Sequence, residues 1–218
     1  MDFFLEIATN PNEWGIVDDI FNLKYGGNRI LPLGLLGIGE TATVYEATKE
    51  GEDSNFAIKI FKPSDHNFGQ TIRNEEANLN IAMKYALELG IPGYVPAFKG
   101  RSDCGRAILL TPVGVEPRYH EESITEFRRL LTKLHAEGFV LRDISPDNFI
   151  WSIDHLIFVD WNSLIRQDSQ GNKYFGTYHF ASQRVLTCMH KNIPFVVKEE
   201  DDMESLLKTS ISLLWKRY

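Results

Sequence analysis

Two cysteines, Cys104 and Cys188, are all that this chain of 218 residues contains. They are too few for a disulfide framework and are not spaced as metal ligands, so free thiols are expected. No apolar run approaches the length of a membrane span, and no membrane association is expected. The opening Met1-Asp2-Phe3-Phe4-Leu5-Glu6 lacks the basic flank and long apolar stretch of a secretory leader, so the expected location is cytoplasmic or nuclear. Positive charge is also in deficit, with 23 Lys and Arg against 30 Asp and Glu and a formal net charge of -7. That balance argues against a nucleic-acid partner and leaves room for basic peptides. Internal repeats and low-complexity tracts are absent, and the most linker-like stretch, Lys49 to Asn55, reads as a polar hairpin turn.

What is present is enough apolar material, 43% of residues, for one domain or a small two-lobed unit. Leu36-Gly37-Ile38-Gly39-Glu40-Thr41-Ala42-Thr43-Val44-Tyr45 reads as strand, glycine turn and strand, and Phe56 to Phe61 as a further strand carrying Ala57-Ile58-Lys59. Glycine lets a backbone approach a triphosphate closely, and a lysine on the next strand can reach phosphate oxygens. Gln70 to Leu89 has helical spacing, with Glu75 and Glu76 inside it. Glu121 to Glu137 reads as an amphipathic helix with Ile124, Phe127, Leu130, Leu131 and Leu134 on one side and Gly138 just beyond its end. His135 within it is read as a packed structural residue. Asn10-Pro11-Asn12-Glu13 followed by Trp14, Val17, Ile20, Phe21 and Leu23 reads as a short capped helix that packs on the small lobe or docks a partner.

The densest chemistry lies in Leu141-Arg142-Asp143-Ile144-Ser145-Pro146-Asp147-Asn148 and Val159-Asp160-Trp161-Asn162. Phosphoryl transfer needs a carboxylate beside the attacking hydroxyl, and an amide and a second carboxylate that hold divalent metal on the phosphates. Asp143, Asn148 and Asp160 fit those roles.

Taken in order, these segments resemble the eukaryotic-type protein kinases, whose patterns include H-R-D-L-x-x-x-N and D-F-G. The resemblance covers roughly residues 30 to 215 and is closest to the fungus-specific protein kinases and effector-type kinases. It implies that Gly37, Gly39, Val44 and Ala57 line the nucleotide, that Lys59 holds its phosphates and that Glu75, with Glu76 as fallback, pairs with Lys59. It further implies adenine binding through the carbonyl of Thr111 and the N–H of Val113, with Ile150 against the ring, and metal binding by Asn148 and Asp160. Asp143 would orient the hydroxyl, Thr177 would hydrogen-bond near Asp143, and Asp202 would prop the catalytic loop. Arg142 would form a positive pocket for an acidic or phosphorylated segment, with Ser163, Ser169 and Tyr174 as candidates. The cofactors implied are ATP and Mg²⁺, with Mn²⁺ possible.

Several positions depart from the family. Leu141 replaces its His, Ala42 its third glycine, Ser145 its lysine and Trp161-Asn162 its Phe-Gly, while Ser182-Gln183-Arg184 stand where Ala-Pro-Glu is expected. The family glutamate there pairs with an arginine in a late helix that has no counterpart here, and without it would be an unpaired charge.

The expected fold is α+β and two-lobed: an antiparallel five-stranded small lobe and a reduced helical large lobe. The expected domains are an N-terminal extension over 1–29, a small lobe over 30–111, and hinge with large lobe over 112–218. The expected activity is transfer of the ATP γ-phosphate to Ser or Thr hydroxyls of a protein or peptide. A nucleotide-binding pseudokinase scaffold and a small-molecule kinase of the aminoglycoside or choline type are the alternatives. The last helix, read as Asp202 to Tyr218, carries more apolar residues than one face can bury, so an exposed patch for self-association or a partner is expected.

Overall fold

Gly26 and Gly27 turn the chain between two antiparallel strands, Lys24–Tyr25 (β1) and Asn28–Ile38 (β2). Both of their N–H groups donate to the Asp103 carboxylate, at 2.9 Å each. The computed structural model describes residues 22–62, 68–167 and 174–215. The expected N-terminal helix bearing Trp14, Val17 and Ile20, and also Ser169, lie outside the described residues.

The chain is α+β and divides into two units: the described residues up to Glu76 with Ala97–Val113, and Ala77–Pro96 with the residues from Gly114 onward. In the first, Ala42–Lys49 (β3), Asn55–Phe61 (β4), Ala97–Arg101 (β5) and Ala107–Thr111 (β6) join β1 and β2 in the order β1-β2-β3-β4-β6-β5. The sheet is therefore six-stranded rather than five-stranded, because the tight glycine turn lets Lys24 and Tyr25 add a two-residue edge. Successive side chains on a strand point to opposite faces. Tyr45 and Ala47, Phe56, Ile58 and Ile60, and Ala107 and Leu109 accordingly fill one core with Leu23 and Ile30. Lys59 takes the opposite face of β4 and stands in register with Val44 on β3 and Ile108 on β6.

The unit boundary falls within Phe68–Glu88 (α1). Pro92–Tyr94 form a short 3₁₀ turn, preset by the proline at its first position, and the next strand begins at Ala97.

The second unit is built on Glu121–Ala136 (α2), whose Phe127, Leu130, Leu131 and Leu134 are buried as the spacing predicts. His120 caps it, its side chain accepting from the Ser123 N–H. Phe139–Val140 (β7) pairs with Ile165–Arg166 (β10), and Phe149–Ser152 (β8) with His155–Phe158 (β9). Phe127, Phe149, Phe158 and Trp161 pack with ring centroids 5.0 to 5.2 Å apart. The Trp161 indole N–H reaches the Phe158 carbonyl at 3.0 Å, so this large ring is buried with its polar atom satisfied.

Gln183–His190 (α3) and Glu199–Trp215 (α4) complete the unit. The last helix starts three residues earlier than expected, and its burial reverses the usual pattern: Asp201, Asp202, Ser205 and Thr209 are buried while Leu207, Ile211, Leu214 and Trp215 are exposed. No described helix is long and apolar enough to cross a membrane.

Candidate functional site

In the first unit, Lys59 Nζ lies 2.8 Å from Glu75 Oε1, with Lys59 7% and Glu75 0% exposed. Adjacent helix residues point about 100° apart. Glu76 therefore faces elsewhere and pairs with Arg101 on β5. The turn from Gly39 to Ala42 is closed by the Gly39 N–H on the Ala42 carbonyl at 2.8 Å. Lys62, which the sequence reading did not single out, holds this turn from the end of β4: its N–H donates to the Thr41 carbonyl and its ammonium to the Gly39 carbonyl, both at 2.8 Å. A lysine three residues beyond Lys59 was the only signal for it. Val44 and Ala57 share the strand face of Lys59, and the Thr111-Pro112 peptide that ends β6 is cis.

In the second unit, the loop after β7 is built around Arg142. The Asp143 N–H bonds the Leu141 carbonyl at 2.9 Å, a three-residue turn that puts Arg142 at φ +70°. That region is unfavourable for a residue with a Cβ, and surrounding contacts must hold it. Asp202 does so: its Oδ2 accepts from the Leu141 N–H at 2.7 Å and its Oδ1 from the Arg142 N–H at 2.8 Å. His135 Nε2 lies 2.9 Å from the same Oδ2, so this buried histidine has a structural partner.

Asp143 is bonded on both oxygens. Its Oδ1 accepts from the Thr177 N–H at 2.8 Å and the Thr177 hydroxyl at 2.9 Å, and its Oδ2 from Asn148 Nδ2 at 3.1 Å. Asn148 Nδ2 also donates to the Asp143 carbonyl at 2.9 Å, which commits the amide nitrogen to this loop and leaves its oxygen as the acceptor. The Val159 N–H on the Asn148 carbonyl at 2.9 Å sets Asp160 beside the loop, and Asp160 Oδ1 accepts from the Asn162 N–H at 3.2 Å. Helix α1 is held to the Trp161 turn, since its Asn78 Nδ2 donates to the carbonyls of Trp161 and Leu164 at 2.8 and 2.9 Å.

No protein-family model matches this chain, and no curated protein matches it. Its reading therefore rests on its own residues.

Gly176 explains how Thr177 comes so close. A Cβ there would lie 2.8 Å from the Arg142 carbonyl oxygen and 2.7 Å from the Tyr174 hydroxyl, so a side chain would force the segment away from the loop. Tyr174 itself donates to the Arg142 carbonyl at 3.2 Å, and burial pushes its phenol up from the ordinary range. Ser163 has a buried hydroxyl, and Arg142 Nε donates to the Ser163 carbonyl at 2.9 Å. The Ser163 hydroxyl is thus buried and unbonded, whereas the Tyr174 hydroxyl is engaged by the Arg142 carbonyl. Burial pulls Arg142 down, but a guanidinium stays charged at any working pH.

Ile150 lies on β8 against Gly114, where an added Cβ would meet the Trp151 carbonyl oxygen at 2.7 Å and Ile150 Cβ at 2.9 Å. Val115 and Trp151 bond each other reciprocally at 2.9 Å, which holds this close approach.

Among the described residues no group of three or more His, Cys, Asp and Glu could hold a metal ion. Asn148 and Asp160 offer one amide oxygen and one carboxylate, a hard-oxygen set suited to Mg²⁺ that arrives with phosphate oxygens rather than to a metal bound by protein alone. Two functional features were missed in the sequence: Lys62, and the pairing of Arg184 with Asp201.

Proposed function

We propose that this chain is a protein kinase of two-lobed, protein-kinase-like architecture that transfers the γ-phosphate of ATP to Ser or Thr hydroxyls. The observation that carries the proposal is the state of Asp143, held on one oxygen by Thr177 and on the other by Asn148. A carboxylate so fixed can accept a hydrogen bond from a substrate hydroxyl and take its proton as the phosphorus–oxygen bond forms. Lys59, oriented by Glu75, suits the α- and β-phosphates. Asn148 and Asp160 would hold Mg²⁺, which supplies charge neutralisation on the phosphates when bound. Gly37, Gly39, Val44, Ala57, Thr111, Val113 and Ile150 are assigned to the nucleotide.

The test is incorporation of labelled phosphate from ATP into a mixed Ser/Thr peptide library, alongside amines and aminoglycosides. Peptide labelling is expected, falling by about 10² to 10⁴ in Asp143→Ala, the usual contribution of a general base. Nucleotide affinity should be nearly unchanged in that variant. Equal turnover with Asp143→Ala removes Asp143 from the mechanism, and labelling of amines alone moves the chain to small-molecule kinases.

Two observations favour a second reading, a nucleotide-binding scaffold without turnover. Asp160 Oδ1 caps its own 3₁₀ turn through the Asn162 N–H, and Ser145 is buried rather than offering a cation beside Asp143. ATP binding by calorimetry with no labelling of any acceptor, in Mg²⁺ or Mn²⁺, would establish that reading.

A further inference from the structure

Three charged residues on one face of the last helix, Asp201, Glu204 and Lys208, grip four consecutive residues that close the segment after Thr177. Lys208 Nζ donates to the Ala181 carbonyl and pairs with Glu204 at 2.9 Å. Glu204 Oε1 accepts from the Gln183 N–H at 2.8 Å. Asp201 accepts from the Ser182 hydroxyl and from two nitrogens of Arg184, and also from the Lys198 N–H at 2.8 Å. Arg184 Nη2 further donates to the Val196 carbonyl at 2.7 Å. Spacings of three and four residues put such side chains on one helix face.

The span from this grip to Asp143 is short and internally bonded. The N–H groups of Phe180 and Ala181 both reach the Thr177 carbonyl, at 3.0 and 3.2 Å, through the turn Tyr178–Phe180. Ala181 thus receives Lys208 on its carbonyl and holds Thr177 with its N–H, while Thr177 holds Asp143 with its own N–H and hydroxyl.

We propose that Arg184 and Asp201 are positioning residues for Asp143, acting through this turn to fix Thr177. The loss of Ala-Pro-Glu then has a physical replacement with the charges exchanged: a cation, Arg184, now stands at the closing position, and its partner is the anion Asp201 at the start of the last helix. The catalytic consequence rests on the kinase reading above; the mechanical one does not.

The experiment uses the full chain with Arg184→Ala, Arg184→Lys and Asp201→Asn. Amide hydrogen exchange should show Thr177 opening at least about tenfold faster in Arg184→Ala and Asp201→Asn, with the β4 amides around Lys59 unchanged. Arg184→Lys keeps the charge but not the two-pronged geometry, and should fall between. In peptide phosphorylation the same variants should lower kcat in that order while ATP affinity stays constant. Wild-type protection of Thr177 in Arg184→Ala or, should that variant fail to fold, in Arg184→Lys and Asp201→Asn overturns the proposal. Faster Thr177 exchange in the variants, together with a wild type that transfers no phosphate, supports the positioning role and defeats the kinase reading instead.

Discussion

Replacing Glu75 by alanine is the sharpest perturbation available in the first unit, because its neighbour Glu76 provides a control of the same chemistry. Glu75 is wholly buried and 2.8 Å from Lys59, whose side chain is 9% exposed. Removing one partner of a buried ion pair strands the other charge in a low-dielectric setting and costs about 3–5 kcal/mol. Glu76 pairs with Arg101 where the side chains are 26% and 37% exposed, and water compensates its loss, so Glu76→Ala should cost about 0–1 kcal/mol. For a chain of this size the first loss lowers the melting temperature by on the order of 10 °C, and the second by no more than about 4 °C. A third variant separates charge from packing. The double substitution of Lys59 and Glu75 by methionine keeps apolar volume and leaves no orphan charge, so stability should return to within about 1–2 kcal/mol of wild type. Urea unfolding measures all three, and ATP titration should show weakened binding in both Glu75→Ala and the double variant. Equal destabilisation by Glu75→Ala and Glu76→Ala would refute the assignment of the buried partner.

Asp202→Ala should destabilise by about 3 kcal/mol or more, since the N–H groups of Leu141 and Arg142 would both lose their acceptor while Arg142 is held in a strained conformation; denaturant titration checks this. Gly114→Ala should cost about 1–3 kcal/mol by overpacking against Ile150 and the Trp151 carbonyl, and weaken ATP binding measured by calorimetry. Acid should loosen the last helix from the segment it grips. Burial pushes Asp201 up, but the hydrogen bonds from Arg184, Ser182 and the Lys198 N–H outweigh it and hold the carboxyl below the usual carboxylate range. A depressed folded pKa stabilises above the unfolded value of about 4 and the gain is lost as pH falls through the folded one. Thermal melts between pH 7 and pH 3 should therefore fall at the acid end, and fall less steeply in Asp201→Asn.

Much of this architecture was legible before any coordinates. Alternation along Phe56 to Phe61 put Lys59 on the face opposite Phe56, Ile58 and Ile60, and helical spacing gave α2 its buried stripe. Spacing by itself did not choose Glu75 over Glu76. It only required that no more than one of them face Lys59, and the structure shows which. The two-residue strand β1 escaped notice because a strand so short has no periodicity of its own; the Gly26-Gly27 turn and the distant Asp103 make it.

The last helix shows how far local pattern reaches. Its excess of apolar residues required some to be exposed, as Leu207, Ile211, Leu214 and Trp215 are, but nothing in the pattern put Asp201, Asp202, Ser205 and Thr209 inside. Each of those four has a polar partner within its own unit: Arg184 for Asp201, the loop N–H groups for Asp202, the Asp201 carbonyl for Ser205 and the Ile144 carbonyl at 3.0 Å for Thr209. Sequence alone determined the longer elements, the order of the chemical groups and the faces of the regular strands, because these follow from short-range periodicity and residue type. Tertiary structure decided which charges are buried, which glutamate meets Lys59 and how Arg142 is held in its strained turn. Such outcomes depend on partners far apart in the chain, 61 residues in the bond from the Leu141 N–H to Asp202, and no local window contains them.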